Sequence, residues 1–129
     1  MIRTRASGVL VWLALLSACG EDRLRPGPPT LVLEMPPGSV VTSPDTFVVG
    51  IYARDDNGLD SLVVRFLDQV RDISVFNEIE VVDGVFFVVP NGYAVGEVIE
   101  VSGFVRDLVG ERTSVTGSVT VGTRTPVSH

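Results

Sequence analysis

The chain has 129 residues, 45% of them hydrophobic, and a formal net charge of −6. It contains no lysine, one cysteine (Cys19), one tryptophan (Trp12) and one histidine, which is the last residue, His129. The acid excess speaks against charge-driven binding to nucleic acid or to anionic lipid. A terminal histidine and a lone cysteine build neither a Ser–His–Asp or Cys–His arrangement nor a zinc site, and no glycine–lysine phosphate loop is present.

Residues 1–18 read as a secretory leader, expected to be helical. It has a basic start at Arg3 and Arg5, an apolar run from Val9 to Leu16, and small residues at the cut site. The run is too short to span a bilayer, which takes about 20 apolar residues. Leu16-Ser17-Ala18-Cys19 resembles the lipobox of bacterial lipoproteins. That resemblance implies cleavage before Cys19 and two or three acyl chains, palmitate among them, on the new terminal cysteine. It places the protein in the cell envelope. Gly20 stands where an aspartate favours inner-membrane retention in enteric lipoproteins, so the resemblance leans towards the outer membrane where the host has one. An ordinary leader with a free cysteine, or an uncleaved membrane helix, are the plainer alternatives. Without the leader, 111 residues remain, with 8 basic and 16 acidic side chains and no tryptophan. That is enough for one domain.

Residues 19–30 are charged and then proline-rich, and read as a tether. Ten such residues, extended at roughly 3.1 Å each, reach about 30 Å. From Thr30 on valine dominates and no helical spacing appears, whereas period-two alternation recurs. It predicts strands over 30–35, 46–54, 61–67, 72–76, 78–82, 85–89, 97–106 and 113–121. The inward sets are Phe47, Val49, Ile51 and Ala53; Leu62, Val64 and Phe66, with Arg65 opposite; Ile99, Val101, Gly103 and Val105; and Val115, Gly117, Val119 and Val121. Turn signals stand between the runs: Pro36-Pro37-Gly38, Pro44-Asp45, Asp56-Asn57-Gly58, Asp83-Gly84, Asn91-Gly92 and Val109-Gly110. One internal echo stands out. Ala53-Arg54-Asp55-Asp56-Asn57-Gly58 and Val105-Arg106-Asp107-Leu108-Val109-Gly110 each leave one strand for the next, with an aspartate three residues before a glycine.

These runs, with Pro37-Gly38-Ser39-Val40 and Gly96-Glu97, resemble the immunoglobulin-like domains of bacterial surface proteins. The resemblance implies an all-β antiparallel sandwich of about seven strands over residues 31–122, followed by a tail at 123–129. It makes the two echoed segments the B–C and F–G loops, at one end of the sandwich. The chain departs from antibody-type domains in lacking both bridging cysteines and the core tryptophan, while Tyr93 stands near the start of strand F, where a tyrosine corner can sit.

The expected function is a lipid-anchored, non-enzymatic binding or structural module. It would attach to the membrane through Cys19, take an envelope protein or a surface polymer as partner, and need no cofactor. The alternative is a calcium-dependent adhesion module. Its ligands would come from Asp55, Asp56, Asn57, Asp60 and Asp107, although no EF-hand loop is matched. A small glycan-processing enzyme is the remaining class, and no catalytic constellation supports it. Phe86 and Phe87, being adjacent, must face opposite ways in a strand. The run around them is a central strand, or one covered by a neighbour, or else an exposed edge or patch that docks a partner.

Overall fold

The computed structural model describes residues 27–123; the expected leader with its lipobox, Cys19, most of the tether and nearly all of the tail lie outside them. The strands are β1 (Thr30–Glu34), β2 (Val40–Val41), β3 (Asp45–Arg54), β4 (Leu59–Phe66), β5 (Gln69–Ile73), β6 (Glu80–Val89), β7 (Val98–Asp107) and β8 (Arg112–Val121). They form two sheets, ordered β1-β3-β6 and β2-β8-β7-β4-β5. In immunoglobulin lettering these are A-B-E and A′-G-F-C-C′, so the chain is an immunoglobulin-like β-sandwich. Every pairing is antiparallel except β2 with β8. That exception follows from Pro36-Pro37. The prolines end β1, and the chain crosses to the second sheet through a short 3-10 turn at Pro37–Ser39.

Alternation builds the core. The inward sets expected on β3, β4 and β7 are all buried, as are Val119 and Val121 on β8, while Val115 and Gly117 are half-buried. Phe66 comes from the larger sheet and packs edge-to-face on Phe47 of the smaller one, with ring centroids 4.9 Å apart. It also lies 5.6 Å from Phe87. Bare backbone at Gly103 lets β1 approach closely: a Cβ there would stand 3.1 Å from Leu31 Cδ2.

Three expectations need correction. Strand β4 starts at Leu59, two residues early, because a bulge between Leu59 and Ser61 breaks the alternation. The expected strand over 72–76 is instead Gln69–Ile73. It joins β4 through the two-residue turn Leu67-Asp68, where Leu67 takes φ 56°. The runs 78–82 and 85–89 are one ten-residue strand, β6. Asp83-Gly84 is not a turn: Gly84 pairs with Gly50 of β3, and its amide donates to the Asp83 carboxylate at 2.7 Å.

Strand β6 is an edge, so the central-strand reading of Phe86 and Phe87 fails. Phe87 is fully buried and Phe86 is 65% exposed. Gln69 covers that edge like a borrowed strand: its side-chain amide donates to Val88 O at 2.7 Å and accepts from Val88 N–H at 2.8 Å. Arg71 Nε donates to Phe86 O at 3.0 Å, and its guanidinium lies 5.1 Å from the centre of the Phe87 ring.

Candidate functional site

The two echoed loops lie at the same end and touch. The amide of Leu108 donates to Gly58 O at 3.0 Å. Gly58 has φ +94°, a conformation that favours glycine, and a Cβ there would press on Leu108 Cδ1 at 2.9 Å. The aspartates do the same work in each loop. Asp55 Oδ2 accepts Asn57 N–H at 2.9 Å. Asp107 Oδ1 accepts Val109 N–H at 3.0 Å and Glu111 N–H at 2.8 Å. Each loop is also closed by a backbone bond from its glycine to its aspartate carbonyl.

Both carboxyl groups are buried, Asp55 at 7% exposure and Asp107 at 1%. They lie within hydrogen-bonding reach of one another. Burial, and then the negative charges of Asp107 and Asp56, push the Asp55 carboxyl up from its ordinary value against the pull of the Asn57 amide. Asp107 Oδ2 is buried without a hydrogen-bond partner. Burial thus favours the neutral, donating form of Asp55, and Asp107 Oδ2 is the acceptor beside it.

The other candidate ligands point elsewhere. Asp56 is exposed and pairs with Arg54 at 2.9 Å. Asn57 is exposed, and its backbone amide closes the Asp55 turn. Asp60, the bulge residue, accepts both Nε and Nη2 of Arg106 on β7. Among the described residues no group of three or more acidic, cysteine or histidine side chains is placed to hold a metal ion. Tyr93 lies in the loop before β7, packs on the core, and its amide donates to Ser43 Oγ at 3.2 Å.

A surface that sequence reasoning passed over lies on the outer face of the five-stranded sheet. There Val63, Arg65, Ser102, Phe104, Ser114 and Thr116 line a shallow depression of about 420 Å³. Cross-strand register assembles it: Ser102 pairs with Thr116 on one side and Arg65 on the other, and Phe104 lies between Ser114 and Val63. Arg65 is the one charged residue lining it, and among the described residues it has no acidic partner. Alternation alone puts these residues opposite the core, but only the pairing register brings them together.

No family model matches the chain and no curated protein matches it. Among solved structures, the PKD domain of an M14-like peptidase from Thermoplasmatales archaeon SCGC AB-540-F20 is similar at 14% identity, with a TM-score of 0.48 over 76% of this chain and 96% of that one. The fold assignment rests on the strand order given above.

Proposed function

We propose that this chain is a lipid-anchored protein of the bacterial cell envelope whose sandwich is a non-catalytic module that binds a surface polymer. Support for the anchor comes from Leu16-Ser17-Ala18-Cys19 behind an apolar leader. A lipid-sized mass increment on the N-terminal Cys19 peptide from native envelopes tests it, and an unmodified Cys19 sinks it.

The observation that carries the binding reading is the unpaired Arg65 in a depression lined by three hydroxyls and a ring. Guanidinium offers five donors in a rigid fork, the hydroxyls both donate and accept, and Phe104 offers an apolar surface to a sugar ring. The net negative charge of the chain disfavours polyanions, which leaves neutral, hydroxyl- and acetamido-rich glycans as the best match. Calorimetry with N-acetylglucosamine oligomers checks this. Arg65→Ala, at an exposed position, is expected to weaken binding at least about tenfold, the effect of one charged hydrogen bond, with the thermal midpoint unchanged. Equal binding by both proteins, or none by either, removes the depression as the site.

A second reading keeps one observation in its favour, the orphaned Oδ2 of Asp107. A cation beside Asp55 and Asp107 would satisfy it as well as a proton does. Calcium takes six to eight oxygens, so two carboxylates are a poor set. A thermal midpoint that does not move at millimolar calcium disposes of this reading.

A further inference from the structure

The loop end of the sandwich carries apolar side chains where turns are ordinarily polar. Phe76 is 69% exposed, Val109 58% and Leu108 39%. They come from two segments of the chain, both fixed to the Gly58-Leu59 backbone. Asn77 N–H donates to Leu59 O at 2.7 Å, Leu59 N–H to Glu78 O at 2.7 Å, and Leu108 N–H to Gly58 O at 3.0 Å. With Asp107 holding the turn beneath Val109, the tips are presented by a rigid base.

The same end receives the tether. Gly27, Pro28 and Thr30 line one polar cleft with Arg54, Asp55, Asp56 and Asn57. Cys19 stands eight residues before Gly27, a reach of at most about 26 Å at roughly 3.3 Å per residue. Some acidic groups there are paired within the domain: Asp56 with Arg54, which also lies 3.8 Å from Glu80, and Asp60 with Arg106. Asp55, Asp107, Glu78, Glu80, Glu111 and Arg112 are the further charged residues near this end, which keeps an acid excess.

We infer that this end docks on the lipid surface, with Phe76, Leu108 and Val109 entering the boundary between headgroups and acyl chains. The inference rests on the anchor proposed above. Contact of this kind is apolar and does not depend on attraction between charges, as the acid excess requires. Three side chains are too few to hold a free protein on a membrane. A tether of this length keeps their local concentration in the millimolar range, so a weak contact suffices.

The test separates docking from native lipidation. The chain from Cys19 to His129 contains every described element, has one thiol and has no tryptophan. It is coupled through Cys19 to a maleimide lipid in phosphatidylcholine vesicles, with Phe76→Trp as the reporter and Phe86→Trp, on the smaller sheet, as the control. On coupling, the tryptophan at 76 is expected to shift to the blue and to be quenched at least twofold by brominated lipid, while that at 86 is unchanged. Adding Val109→Asp to Phe76→Trp is expected to abolish the quenching. No quenching at 76 overturns the proposal even where the native Cys19 proves to be lipidated. Quenching at 86 in place of 76 overturns it in favour of the sheet face. A blue shift at 76 in uncoupled protein that grows with concentration overturns it in favour of self-association.

Discussion

At the scale of single residues, the informative feature is that two aspartates of equal sequence rank play unequal parts. Asp107 supports two backbone amides and Asp55 supports one. Burial, and then neighbouring charge, push the Asp55 carboxyl up. A raised folded-state pKa gives stability that is fully present below the unfolded value, near 3.8, and is lost as pH rises through the folded one. Asp55 thus makes the domain less stable as pH rises above the carboxyl's ordinary value. Asp55→Asn supplies the same geometry without the proton: its carbonyl accepts Asn57 N–H and its amide donates to Asp107 Oδ2. Denaturant titrations across pH 4–8 should find Asp55→Asn stabilised by about 1 kcal/mol at neutral pH, with that part of the slope flattened. Asp107→Ala removes two hydrogen bonds and is expected to cost about 2 kcal/mol. A wild-type stability that rises monotonically to pH 8, matched by Asp55→Asn, would contradict the upward shift of the Asp55 carboxyl.

Edges decide the behaviour of the elements. A ten-residue strand with exposed Val82, Phe86 and Val88 is a template for aggregation if its outer backbone groups are free. Gln69 takes up both polar groups of Val88. Gln69→Ala should cost about 1–2 kcal/mol by chemical denaturation and raise light scattering over hours; Gln69→Glu, which keeps only the acceptor, should fall between. Sequence reasoning could not see this bridge, because it joins β5 to an edge of the opposite sheet and β5 itself was displaced. Leu67-Asp68 carries none of the usual chemistry of a two-residue turn, so the hairpin had no local mark. Asp83-Gly84 carried that chemistry and forms no turn, because pairing with all ten residues of β3 outweighs it. Where the pattern is a plain alternation, as on β3 and β7, the inward residues were legible one by one. So was the meeting of the two loops, from the Asp-x-x-Gly echo. Which of the neighbouring acids each of Arg54 and Arg106 takes was not, since local side-chain geometry and the bulge at Asp60 decide it.

For the whole molecule the question is what joins the sheets in a sandwich that has no second cysteine to make a bridge. Phe66 answers it: the only ring of its cluster from the larger sheet, it touches both Phe47 and Phe87 of the smaller. Phe66 is fully buried, and truncation leaves a cavity spanning the two layers. Phe66→Ala is expected to cost about 3–5 kcal/mol, a large part of the roughly 5–15 kcal/mol that holds a domain together. Its unfolding midpoint in urea should therefore collapse, with the slope little changed if the sandwich still unfolds as one unit. Removing a disulfide from a small secreted domain costs about 2–5 kcal/mol, so one aromatic contact stands in energetically for the bridge. The domain should then keep the same thermal midpoint with and without reductant. A midpoint lowered by reductant would show a disulfide between chains at Cys19 adding to stability beside the ring contact and not in place of it.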